Sequence, residues 1–185
     1  MTIGYKLAAA LSVAATLTGC QVGIPYDKQT IYYDRPSFVE SVTHDDPAIT
    51  GQIIEHGRCT LLIGTPGAYM APQDFCVFAL TKDTLYVMKW DGKATRYERL
   101  TTVNFSDLQT VALARNFRFR QVQMTEKRRV IAIDGIVDGG AYADADASVK
   151  LFETVKAAGV PVITVNRTIE PPAVATVPYV PIFIK

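Results

Sequence analysis

The sequence predicts a mainly β, α+β domain: antiparallel strands forming a barrel or roll, capped by one C-terminal amphipathic helix. Three observations carry this. Short apolar runs separated by turn residues recur between residues 51 and 133. Helical spacing appears only after residue 144. The composition, 49% hydrophobic and 20% charged over 185 residues, is that of an ordinary globular chain long enough for one compact domain.

The first segment, residues 1–19, is an address rather than part of the fold. Met1 to Lys6 carries one positive charge, and Leu7 to Thr18 is apolar and uncharged. That run is too short to span a bilayer, which takes about 20 apolar residues. Charged start, short apolar middle and small residues at the end are marks of a secretory signal peptide. The segment closes on Leu17-Thr18-Gly19-Cys20, which resembles the lipobox of bacterial lipoproteins. The resemblance implies cleavage after Gly19, with a diacylglycerol on the Cys20 thiol and a palmitate-class acyl chain on its amine. Such chains anchor a protein to a membrane, each buried CH2 contributing roughly 0.8 kcal/mol. In those lipoproteins an Asp after the Cys favours the inner membrane, so Gln21 implies the periplasmic face of the outer membrane.

With Cys20 acylated, Cys59 and Cys76 remain as an even pair in an oxidising compartment. A disulfide between them would stabilise by about 3 kcal/mol through loop closure; two buried free thiols are the alternative. A zinc site would need two further ligands, and His56 supplies one neighbour, so no metal or other cofactor is expected.

Residues 20–50 read as the acylated Cys and a tether. They hold Pro25, Pro36 and Pro47 and the aromatics Tyr26, Tyr32, Tyr33 and Phe38, without helical period. Residues 51–159 form the β-rich domain. Its strands are expected at 52–63, 75–80, 85–90, 95–100, 110–114, 117–124 and 129–133. Gly64-Thr65-Pro66-Gly67, Thr81-Lys82-Asp83-Thr84 and Asp91-Gly92 supply turns. Asp134 to Asp146 reads as a solvated Gly- and Asp-rich loop. A helix follows, capped by Asp144 or Asp146, with Leu151, Phe152, Val155 and Ala158 on one stripe and Gly159 and Pro161 as stop signals. Residues 160–185 add a short strand and a Pro-rich tail.

Strands followed by one amphipathic helix, with Trp90 ending a strand, Arg96 and Arg99 on the next, and Leu100-Thr101-Thr102-Val103-Asn104-Phe105-Ser106-Asp107-Leu108 leading onward, resemble a bacterial pleckstrin-homology-like domain. The resemblance covers residues 51–159 and implies two antiparallel sheets with a helix plugging one end.

No catalytic constellation stands out. None of Ser37, Ser41, Ser106 and Ser148 lies in a Gly-x-Ser-x-Gly elbow, and His44 and His56 are the only histidines. A Cys59–His56 thiolate pair competes with the disulfide. The carboxylates of residues 134–146 lack the alternation of a calcium loop. The reading is therefore a chain that is not an enzyme.

One charge feature is asymmetric: Arg115, Arg118, Arg120, Lys127, Arg128 and Arg129 stand against Glu126 alone. A basic hairpin there could meet anionic phosphates of lipid or of an envelope polymer, or could guard a sheet edge. The functional expectation is a non-catalytic binding or scaffolding module of the bacterial envelope, held at the membrane through Cys20. Its partner would be another envelope protein or, alternatively, lipid or glycan phosphates on the basic hairpin. Overall charge balance and an extracytoplasmic address exclude nucleic acid.

Overall fold

A computed structural model describes residues 32–65, 73–116, 119–140 and 142–166. Cys20, Gln21, Phe117, Arg118 and the Pro-rich tail lie outside the described residues. Among the described residues there are seven strands: β1 (Glu55–Gly64), β2 (Asp74–Leu80), β3 (Thr84–Asp91), β4 (Arg96–Asn104), β5 (Thr110–Asn116), β6 (Phe119–Thr125) and β7 (Val130–Ile136). They form one antiparallel sheet in the order β4-β3-β2-β1-β7-β6-β5. Helix α1 (Phe38–Asp45) precedes the strands and α2 (Ala145–Ala157) follows them. The chain is therefore mainly β with a C-terminal helix. The sheet is open, because β4 and β5 do not pair.

Alternation along the strands divides their side chains between two faces. The inward residues Leu61, Phe78, Leu85, Val103, Val111, Val122, Met124, Ile131 and Ile133 form one core. Helix α2 closes it with Leu151, Phe152 and Val155. Asp144 caps this helix, accepting the Ala147 N–H at 2.9 Å, and Gly159 takes a positive φ of 90° just past its end. Gly135 is where sheet and helix meet. A Cβ there would stand 2.8 Å from the Asp144 carbonyl oxygen and 2.9 Å from the Ala147 Cβ.

The lead-in departs from expectation. Residues 38–45 are helical rather than extended. Phe38 and Val42, one turn apart, press on the outer face of β2–β4 and form a second core with Val77, Ala79, Tyr86, Met88 and Tyr97. Two apolar positions in eight residues are too few to show a period. So short a helix is stabilised by its packing rather than by propensity. The lead-in also covers the β4 edge: Asp45 accepts the Tyr97 N–H at 2.9 Å, and Asp46 pairs with Arg99.

Further differences are local. Strand β4 continues four residues past the expected end, pairing Val103 with Leu85 and Asn104 with Thr84. Asp134 to Ile136 belong to β7 rather than to a loop. Residues 160–165 make a single parallel bridge, Val162 to Val111 on the β5 edge, in place of a strand.

Candidate functional site

The expected site residues separate into three groups. Cys59 and Cys76 face each other across β1 and β2 and are joined by a disulfide, both buried. The thiolate pairing of Cys59 with His56 is thereby excluded. His56 instead takes a 2.9 Å hydrogen bond between its Nδ1 and Tyr33 Oη and stacks on Phe38. Burial, and then the Arg35 guanidinium, hold its imidazole below the ordinary histidine value.

Among the described residues, the basic ones lie in separate places. Arg115 and Arg120 lie opposite each other at one end of the β5–β6 hairpin. Lys127 and Arg128 are exposed in the turn beyond Thr125, about 20 Å away along β6 at ~3.4 Å per residue. Arg129 is engaged in the fold. It forks onto Glu126 at 2.5 and 2.8 Å and reaches Thr101 Oγ1 and the Thr102 carbonyl on β4, each at 2.7 Å. It thus joins the β6–β7 turn to β4, to which no ladder pairs β6 or β7. The Glu126 carboxylate raises its pKa further.

Two polar features were not read from the sequence. Arg58, 5% exposed, donates through one guanidinium nitrogen to the carbonyls of Val137, Asp138 and Gly140 and so folds the β7–α2 connection onto β1. Asp134 accepts from Thr60 Oγ1 and Gln121 Nε2 on the outer face, and burial raises its carboxyl pKa. An arginine or aspartate inside a strand gives no sign in the sequence of whether it is buried.

A cleft among the described residues lies elsewhere. The β2–β3 turn, the start of β1 and the last turns of α2 enclose a groove of about 790 Å³. Its apolar floor is Ile54, Ala157 and Ala158, and Ile54 is 51% exposed. Charges of both signs ring it: Lys82 and Lys150 against Glu55, Asp83 and Glu153. Local bonds fix this rim. Ile54 N donates to the Leu80 carbonyl at 2.8 Å, Thr81 Oγ1 accepts the Thr84 N–H at 3.1 Å, and Lys150 Nζ reaches Glu55 Oε2 at 3.0 Å. The Glu55 carboxylate holds the Lys150 ammonium above its ordinary value. Such a rim suits a ligand with an apolar anchor and mixed charges, and it does not suit a polyanion.

No family model matches the chain, and no curated protein matches it. Among solved structures, the hSac2 domain from human phosphoinositide phosphatase Sac2 matches 82% of this chain and 99% of that domain, with a TM-score of 0.39 and 11% sequence identity. The expectation that this chain is not an enzyme is corrected on this finding and withdrawn, because the matching domain comes from an enzyme. A likeness at this level assigns neither activity nor substrate to the chain. No helix among the described residues is long and apolar enough to cross a membrane.

Proposed function

We propose that this chain is a bacterial envelope lipoprotein, anchored through Cys20, whose β-rich domain seats a segment of another envelope protein in the groove beside α2. The observation that carries the reading is that groove, with an exposed Ile54 on its floor and charges of both signs on its rim. The lipobox residues Leu17-Thr18-Gly19-Cys20 support the anchor, and Gln21 supports the outer membrane. The order of seven strands and a plugging helix supports the pleckstrin-homology-like reading.

The test is crosslinking in intact cells followed by isolation of the chain, comparing wild type with Ile54→Arg and Ala158→Arg. Both sites are exposed, so the variants are expected to fold. Loss of one crosslinked species in both variants is the expected result. Its persistence in both overturns the groove as the contact. Intact mass of membrane-purified protein checks the anchor separately: residues 20–185 plus a triacylated glyceryl group is expected, and an unmodified mass from residue 1 refutes it.

A second reading rests on the side-by-side placement of Arg115 and Arg120. Two guanidinium groups on neighbouring strands suit hydrogen bonding to one anionic phosphate. Binding to anionic vesicles that falls steeply with salt and is lost in Arg115→Glu/Arg120→Glu supports it. Retention unchanged by the substitutions counts against it.

A further inference from the structure

Tyr32 and Trp90 make an aromatic step on the outside of the domain. Their ring centroids are 4.6 Å apart, and Trp90 stands 5.0 Å from the buried ring of Tyr97. Tyr32 is nevertheless 42% exposed and Trp90 only half-buried, so the stack opens outward rather than completing a core. Each ring joins an apolar body to a polar tip, a hydroxyl or an indole N–H. Rings of that kind sit where an apolar phase meets water, at the headgroup level of a bilayer.

We propose that this face, Tyr32 and Trp90 with the β3–β4 hairpin tip, rests on the bilayer surface and sets the orientation of the domain on the membrane. The proposal deepens the anchored reading above and rests on it. The path of the chain selects the membrane as the partner. The Tyr97 hydroxyl donates to the Tyr32 carbonyl at 3.1 Å, which fixes the backbone's entry into the domain beside Trp90. Cys20 lies twelve residues upstream, and a chain of that length spans at most about 40 Å. A surface that holds Cys20 is thus always within reach of the stack. Tethering raises the effective concentration so far that two rings suffice where a free protein would need a larger contact.

The charges set how that contact is made. The hairpin end carries Lys89, Lys93 and Arg96 against Asp91 and Glu98, close to balance. Arg96 pairs with Glu98 at 3.0 Å, and Asp91 accepts the Lys93 and Ala94 N–H groups at 2.8 and 3.1 Å. Asp45 and Asp46, at the end of α1, are taken up by the Tyr97 N–H and by Arg99. The rings rather than net charge therefore hold the face to lipid, and the contact is insensitive to salt. Its geometry also suits the groove. Asp91 ends β3, and Thr84, next to Lys82 and Asp83 on the groove rim, begins it. Seven steps at ~3.4 Å put the tip about 24 Å from that rim, so docking by the tip leaves the groove clear of the bilayer.

Trp90 is the only tryptophan of the chain, so its fluorescence reads the contact directly. The chain from Cys20 onward, with Cys59 and Cys76 joined, is coupled through the Cys20 thiol to a maleimide-headgroup phospholipid. The vesicles are of phosphatidylethanolamine and phosphatidylglycerol, either plain or with bromine on the acyl chains close to the headgroups. The expected result is a blue shift on coupling and a loss of emission in the brominated vesicles. Both should persist at high salt and in Tyr32→Phe, and both should vanish in Tyr32→Glu. Equal emission in the two kinds of vesicle overturns the proposal. Quenching that survives in Tyr32→Glu, or that disappears at high salt, overturns it too. A blue shift on adding soluble wall glycan, without quenching by brominated lipid, assigns the step to a sugar and likewise overturns it. Should Tyr32→Glu fail to fold by circular dichroism, Tyr32→Ser decides by the same comparison. Because the coupling is chemical, the outcome is independent of acylation in cells. The intact mass decides that separately, so failure of the docking and failure of the anchor are told apart.

Discussion

Replacing Gly135 by Ala tests the way α2 seats on the sheet. The added methyl would meet two groups of the first turn of α2, the Asp144 carbonyl oxygen at 2.8 Å and the Ala147 Cβ at 2.9 Å, with the Ser148 N at 3.3 Å. Two of these contacts involve backbone atoms, so no side-chain rotation relieves the clash. The helix must retreat by roughly 0.5 Å, enough to forfeit about a quarter of the dispersion attraction at each facing contact. Leu151, Phe152 and Val155, all buried, lie on that interface. With about 25 facing contacts each, at ~0.15 kcal/mol, they lose about 1 kcal/mol apiece. The 2.9 Å bond from Gly135 N to Ser148 Oγ lengthens as well, at a cost of about 1 kcal/mol. Reduced freedom of the unfolded chain returns about 0.4–1 kcal/mol. The net destabilisation is about 3 kcal/mol, within the range for overpacking. At ~2–4 °C per kcal/mol for a protein of this size, the melting temperature falls by about 6–12 °C. Urea unfolding followed by circular dichroism measures it, with Ser148→Ala separating the hydrogen bond from the packing. An unchanged urea midpoint in Gly135→Ala would refute the proposed seating.

Further outcomes follow from the same contacts. Replacing Cys59 and Cys76 together by Ala should cost about 3 kcal/mol from the lost 17-residue loop closure; equal urea midpoints for wild type with and without reductant would contradict this. Asp134→Asn keeps an acceptor for Gln121 and Thr60 while removing a buried charge. The raised folded pKa means that the native state favours the protonated acid, so this group's stabilisation is present at acid pH and lost as pH rises through the folded value. The variant is therefore expected to match or exceed wild type in stability at pH 7 and to lose that advantage in acid, as melting curves at pH 4 and 7 would show. His56 acts in the opposite sense. Its depressed folded pKa makes the unfolded state take up a proton first, so stability declines once pH falls below about 6.5, and His56→Gln should flatten that decline. Arg129→Met removes the fork to Glu126 and the bonds to Thr101 and Thr102. It should destabilise by about 2 kcal/mol and speed amide exchange in β4; protection unchanged in β4 would mean that Arg129 does not hold β4 to the β6–β7 turn.

Much of the architecture was legible because local physics dictates it. Alternating apolar runs broken by Thr81-Lys82-Asp83-Thr84 and Asp91-Gly92 leave little freedom but antiparallel hairpins. Asp144, the 151–152–155 stripe and Gly159 mark a helix at both ends. Cys59 and Cys76 were pairable on count alone. What the sequence determined by itself was thus the succession of strands along the chain and the closing helix. Tertiary structure decided the rest, because burial is a property of faces that meet only after folding. It made residues 38–45 a helix through the contacts of Phe38 and Val42, and it drew Asp134 into a strand. It parted Arg115 and Arg120 from Lys127 and Arg128 by the length of β6. It also spent Arg129 on joining the β6–β7 turn to β4, and it opened a groove where Ile54, Lys82 and Ala158, far apart in the chain, come together. None of these follows from local pattern, since each depends on which distant surface a side chain finds.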